Sequence, residues 1–319
     1  MSTEGGTRAV VAALLANTGI AITKFIAAAI SGSASMLAEA IHSLADSGNQ
    51  VLLLVGGRRS KKDADSAHPF GYGRERFIYA FLVSIILFSV GGVFSLYEGI
   101  HKLSEHEPLK LPWLPLVVLA VSIVLESFSL RTAVRESNHS RTKGQSWVAF
   151  IRHAKQPELP IILLEDVAAL TGLTFAFAGV GLTILTGDVL WDAIGTIAIG
   201  ALLVVVAIIL GIETKSLLIG EGATAGDLAK IRAAFNGHAK VEAVIHMKTL
   251  YLGPDELMVA AKVAVPKATR ATEIAKAINE IEASVRAAVP AARVIYIEPD
   301  IYVTPGSPST DAIVVQSSN

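Results

Sequence analysis

The chain has no cysteine in its 319 residues. Disulfides, zinc fingers, thiolate metal sites and cysteine nucleophiles are thereby excluded together. Charge is scarce too: only 17% of residues are Asp, Glu, Lys or Arg, against about 25% in an ordinary soluble chain. The 27 basic and 28 acidic residues cancel to a net charge of −1, which leaves no basic field for nucleic acid. What is plentiful is apolar. At 52% hydrophobic residues the chain is too greasy for disorder over most of its length, and its composition points to a membrane protein.

The apolar residues are not spread evenly. Runs near the ~20 residues that span a bilayer recur six times, over roughly 9–30, 34–57, 77–100, 112–134, 159–185 and 189–212. From residue 213 charges return at ordinary density. The predicted fold is therefore an α-helical membrane domain (1–212) with six transmembrane helices, followed by a cytoplasmic α/β domain (213–304) and a disordered tail (305–319). The α/β part reads αββαβ, the order of ferredoxin-like and metallochaperone-like domains: a helix at Ala225–Asn236, strands over 241–253 and 255–265 joined at Gly253-Pro254-Asp255, a helix at Thr272–Val289 capped by Thr269 or Thr272, and a strand over 292–299. The opening MSTEGGTR lacks the features of a signal peptide, so the first run is expected to stay as a helix. Basic residues crowd the loop after span 2 (Arg58, Arg59, Lys61, Lys62, Arg74, Arg76) and the loop after span 4 (Arg135, Arg141, Lys143, Arg152, Lys155). That bias places both termini in the cytoplasm of a bacterial-type inner membrane.

Ionisable groups inside spans are costly, at ~2.5–3.5 kcal/mol on insertion scales, and usually face the bundle interior. Span 2 holds Glu39, His42 and Asp46. His42 and Asp46 are four apart, so they share a helix face about one turn from each other; together they make half of a tetrahedral divalent-metal site, or a buried His–Asp hydrogen bond. Span 5 holds Glu165 and Asp166, which diverge by ~100° around the helix. Two adjacent carboxylates in hydrocarbon repel unless a metal or a proton neutralises them; alternatively the pair sits at the water interface, close to Pro157 and Pro160. Lesser candidates are Asn17, Asn49, Gln50, Glu126 (a proton carrier, or a partner of Arg131), the outer-loop group His101, His106 and Glu107, Lys24, expected to snorkel, and Asp192, expected to cap its own helix.

These residues resemble the cation diffusion facilitator family of divalent-metal/proton antiporters. The resemblance covers nearly the whole chain and rests on His42-x-x-x-Asp46, the loop AHPFGYGRERF (Ala67–Phe77), the acidic residue in span 5 and the ending IYIEPD. It implies a homodimer whose protomers each hold a metal between spans 2 and 5. His42, Asp46 and Asp166 fall on three of the family's four ligand positions; the fourth is Ile162, and Glu165 stands in for it, as in a subgroup with this Glu-Asp pair. An extra oxygen donor shifts preference towards harder ions. An accessory site in the loop after span 2 would use Asp65 and His68, with Tyr72 where a second histidine can occur. In the α/β domain the family's metal positions hold Ile245, Lys262 and Tyr296, with His246 one place off register, so that domain is expected to dimerise without its usual metal pair.

The implied function is export of a divalent transition metal, zinc first because of His42, with Mn2+, Fe2+, Co2+ and Cd2+ behind it. Protons and metal would take the same ligands in turn by alternating access. No cofactor and no enzyme activity are expected: His-Glu-x-x-His is absent, and no serine pairs convincingly with the single in-span histidine. The alternative is a non-transporting membrane metal sensor or scaffold acting through the cytoplasmic domain.

Overall fold

The computed structural model describes residues 3–104, 108–141 and 144–302, with side chains from residue 17 onward. The tail at 305–319 and the loop candidates His106 and Glu107 lie outside the described residues. The chain divides into two compact units, 1–219 and 220–319.

The first unit is a helix bundle. Helices α1 (Thr3–Ser31) and α2 (Ala34–Arg59) are joined by a tight turn in which Gly32 takes φ +70°. Helix α3 (Glu75–Ile86) passes through a π-helical stretch (Leu87–Val93) into α4 (Phe94–Ser104), forming one rod of 30 residues. Then come α5 (Trp113–Ser140), the short α6 (Trp147–His153), α7 (Glu158–Thr186) and α8 (Leu190–Ile219). Among the described residues four rods, Glu75–Ser104, Trp113–Ser140, Glu158–Thr186 and Leu190–Ile219, are long and apolar enough to cross a membrane. At ~1.5 Å per residue each extends over more than ~40 Å, past the ~30 Å hydrocarbon core. Helix α2 has 26 residues, but Glu39, His42, Ser43, Asp46 and Asn49 dilute its apolar character. Most of these are buried, so the polar load of α2 faces other helices.

Helix α8 is the hub of the bundle, packing on α7, α2 and the whole α3–α4 rod. Leu173 and Val180 of α7, Ile199, Leu203 and Leu210 of α8, and Val83 and Leu87 of the α3–α4 rod fill the core. Outward, Ile22, Ile26 and Ile30 of α1 and Val117, Val121, Val124 and Phe128 of α5 stay exposed, an apolar surface that only lipid or a partner would cover. The last helix runs past the 212 read from sequence. Glu213 and Lys215 do not break it, and it stops only before Gly220 at φ +121°.

In the second unit, α9 (Ala225–Asn236) starts at Thr224, whose hydroxyl accepts the N–H of Asp227 at 3.2 Å. Strands β1 (Ala243–Gly253) and β2 (Glu256–Ala264) form an antiparallel hairpin, and β3 (Ala292–Asp300) lies parallel to β2 after the crossover helix α10 (Ala271–Ala288). The sheet order is β1-β2-β3. Ile231 and Phe235 of α9, Ile281 and Val285 of α10, and Leu257, Val259 and Val263 of β2 are buried, so both helices cover one face. The cap expected at Thr269 or Thr272 falls instead on Arg270, which makes no side-chain cap bond.

Close helix approach depends on Gly200. A Cβ there would sit 2.7 Å from the Leu96 backbone nitrogen and 3.1 Å from the Gly92 carbonyl, atoms that cannot swing aside. Gly200→Ala should lower the thermal unfolding midpoint in detergent, with the ~1–3 kcal/mol typical of overpacking. Gly181→Ala, with nothing within 4 Å of the added Cβ, should not lower the midpoint, since alanine favours a helix over glycine.

Candidate cation site

The acidic residues of the bundle are not equivalent, and what each one touches sorts them. Glu39 and Lys24 are both buried, at 0% and 1% exposure. The Lys24 ammonium lies 3.2 Å from Glu39 Oε2 and donates to Ser43 Oγ at 2.7 Å. Lys24 therefore does not snorkel; it runs inward from α1 and neutralises a carboxylate of α2. The other oxygen, Glu39 Oε1, has no hydrogen-bond partner and fills the space above Gly172 of α7, where a Cβ would stand 2.6 Å away. Asp192 is likewise fully buried, and the helix it caps is not its own. Its carboxylate accepts the Ser33 hydroxyl at 2.8 Å, the Ala34 N–H at 2.7 Å and the Ser35 N–H at 3.3 Å. The amides at the start of α2, which have no partner within their own helix and no acid in its first turn, thus find their anion on α8.

Four further carboxylates share one cavity of about 80 Å3. Asp46 of α2, Glu126 of α5, and Glu165 and Asp166 of α7 line it, with Asn17, Ser43, Gln50, Ser129 and Ile162. Two of the four are held by a neighbour, each by a different one. Glu165 Oε1 accepts from Asn49 Nδ2 at 2.7 Å and Asp166 Oδ2 from the Ser129 hydroxyl at 3.0 Å. Asp46 Oδ2 lies 3.5 Å from His42 Nε2, beyond a good hydrogen bond, and Asp46 Oδ1 has no partner. His42 is buried at 1% exposure with both ring nitrogens unpartnered. It stands beside Asp46 rather than in the cavity lining. Among the described residues no three His, Asp or Glu side chains already converge as a metal cluster.

Of the four, Glu126 carries the weakest signal in the sequence. A single acid in α5 has no periodic partner, and which way it points depends on how α5 packs on α7. Arg131, its alternative partner, lines a separate groove. Ile162, at the position where a fourth family ligand would stand, does line the cavity but offers no donor atom.

The loop pair is bonded differently. Asp65 accepts from the Tyr72 hydroxyl at 2.7 Å, Lys62 Nζ at 3.0 Å, and the N–H groups of His68 and Ala67 at 2.8 and 3.1 Å. These bonds, that of Tyr72 foremost, hold its carboxyl below the ordinary range, and the same contacts raise the Lys62 ammonium. His68 Nδ1 is 3.5 Å away. A metal there would have to displace a cation and a hydroxyl. In the second unit Lys262 Nζ lies 3.0 Å from both Glu298 Oε1 and Asp300 Oδ2, which raises the ammonium and, after the Ile301 N–H, helps to lower Asp300.

A family model described as the cation efflux transmembrane domain matches residues 10–219. The chain belongs to the cation efflux family. Its relatives include the proton-coupled zinc antiporter SLC30A9, mitochondrial, of Xenopus laevis, 32% identical over 264 residues (82% of this chain, 47% of the relative), and the human protein of the same name, 32% identical over 251 residues (78% and 44%). Metal tolerance protein C4 of Arabidopsis thaliana is 31% identical over 248 residues (77% and 54%). The chain thus spans about half the length of the curated relatives it matches. Family membership and the apolar rods make it an integral membrane protein of the cation efflux family.

The buried ion pair can be tested apart from the cavity. Lys24→Met strands the Glu39 charge and should destabilise the bundle by ~3–5 kcal/mol. Lys24→Met with Glu39→Gln removes both charges and should recover most of that loss, as read by thermal unfolding in detergent.

Proposed function

We propose that the chain exports divalent transition-metal cations, zinc foremost, in exchange for protons. One observation carries the reading: in a member of the cation efflux family, carboxylates from three helices line one cavity inside the bundle. The names of the zinc antiporter and metal tolerance relatives support the choice of substrate, as does an imidazole with two free nitrogens next to the cavity. Asp46, Glu165 and Asp166 are the oxygen donors, and His42 turns its ring past Asp46 to supply nitrogen. The Glu-Asp pair of α7 replaces the missing donor at Ile162 and keeps manganese and iron as secondary substrates.

In this reading six helical rods cross the membrane, both termini and the α/β domain lie in the cytoplasm, and two chains associate as a homodimer. Metal entering from the cytoplasm takes Glu165 from Asn49 and Asp166 from Ser129. Ligation requires the deprotonated forms, so protons leave as the ion binds. After the bundle rocks outward, protons from the far side compete for the same groups and release the metal. Coupling needs only that the two cations share ligands while the two orientations exchange. The loop pair Asp65 and His68 stays outside the path, because the Asp65 carboxylate already accepts four hydrogen bonds. The compartment is the inner membrane of a bacterial-type cell; recovery of the native protein in a mitochondrial fraction, where their name places the SLC30A9 relatives, would overturn that part.

Proteoliposomes with an imposed pH gradient test the proposal. Asp46→Asn and Asp166→Asn should each reduce zinc accumulation to the protein-free background, while detergent unfolding midpoints stay near wild type. Full-rate uptake in both variants would sink the site. Dissipating the gradient with an ionophore should stop accumulation in the unmodified protein; uptake indifferent to it would remove proton exchange, and zinc binding without any flux would favour a sensor.

A further inference from the structure

Helix α5 carries a second feature, at the end away from its proline-rich start. A groove of about 640 Å3 is lined by Arg131, Thr132, Val134, Arg135, Asn138 and His139. Three of these are basic or titratable to basic, and none is acidic. Arg131, Arg135, Asn138 and His139 are all exposed, and among the described residues neither arginine has an ion-pair partner.

The position of these groups on the helix gives the groove its meaning. The exposed apolar residues of α5 are Val117, Val121, Val124 and Phe128, spaced by four, three and four. Arg131, Arg135 and Asn138 continue the series by three, four and three. At ~100° per residue the apolar stripe and the basic groups fall within one arc of about 100°. The buried residues Leu119, Ser122, Ala133 and Ser137 project from the opposite side. One face therefore runs from hydrocarbon-compatible side chains to guanidinium groups, with about one turn between Phe128 and Arg131. A lipid presents the same sequence of chemistry along its length: acyl chain, then phosphate. Close by in sequence, Trp147 stacks on the Arg141 guanidinium, 4.2 Å from the ring centroid, and Val148 next to it is exposed, an aromatic and apolar pair of the kind that settles at the membrane–water boundary.

We propose that this end of α5 binds the phosphate headgroup of an anionic phospholipid. Arg131 and Arg135, one turn apart, clasp the phosphate oxygens, for which planar guanidinium forks are suited. Val124 and Phe128 seat the acyl chain. The site lies on the outer face of a helix whose Glu126 and Ser129 line the cation cavity, so a bound lipid would also hold that helix in place. The inference rests on the chain being membrane-embedded and not on the transport reading, so its failure would leave the cation site standing.

The test is thermal unfolding of the full chain in micelles supplemented with phosphatidylcholine or phosphatidylglycerol. Phosphatidylglycerol should raise the midpoint of the unmodified protein by about 4 °C or more, and phosphatidylcholine should not. Arg131→Gln with Arg135→Gln should abolish the difference, whereas Arg131→Lys with Arg135→Lys should keep part of it. Equal shifts from the two lipids, or an undiminished shift in the glutamine variant, would overturn the proposal. So would a full shift produced by inorganic phosphate in phosphatidylcholine micelles, which would make the ligand a free anion. If the glutamine variant does not purify, Arg135→Glu serves instead: it must lose at least half of the shift, and an intact shift counts against the site.

Discussion

Negative charge buried among helices has to be neutralised, and this bundle does so in two ways. Glu39 is met by Lys24, and Asp192 by the amide groups at the start of α2. Both are settled within the protein, by partners that cannot leave. Asp46, Glu126, Glu165 and Asp166 are different: they line one cavity, and among the described residues no lysine or arginine pairs with any of them. Each carboxylate in a medium of low dielectric costs several kcal/mol unless a cation or a proton accompanies it. In the proposed reading these groups take mobile counter-charges, metal and proton in turn.

The self-neutralised acids serve the others. Asp192 fixes the start of α2 to α8, and the Lys24–Glu39 pair fixes the next turns of α2 to α1. His42 and Asp46 follow directly along the same helix, one to two turns beyond the nearer of these two anchors. Gly172 completes the arrangement, since a side chain there would push Glu39 out of its place. Against this rigid frame the cavity carboxylates make only single, separable hydrogen bonds to Asn49 and Ser129. Fixed groups orient the helix, and in the proposed reading the loosely held ones rearrange around a cation.

Much of this is written locally and much is not. The αββαβ order could be read because strand alternation, the Gly253-Pro254-Asp255 turn and the amphipathic spacing of α10 are short-range signals. The polar residues of α2 stood out because an apolar run makes each one conspicuous. By contrast, Lys24 in isolation reads as a snorkelling side chain; only a partner fifteen residues further on, across a turn, draws it inward. Asp192 reads as the cap of its own helix, and its true partner lies 158 residues away at Ala34. Glu126 is silent in sequence because one acid has no period. The Arg270 cap shows the same limit on a small scale: two threonines with the preferred chemistry flank it, and the backbone passes both by.

X-ray absorption at the zinc edge of the loaded, detergent-solubilised protein bears most directly on the idea that a mobile cation completes the cavity. The expected spectrum has about one imidazole nitrogen and two to three carboxylate oxygens at ~2.0–2.2 Å, with the imidazole scattering lost in His42→Ala and the whole shell lost in Asp46→Asn with Asp166→Asn. A spectrum of a hydrated ion, or one unchanged in those variants, would contradict the account.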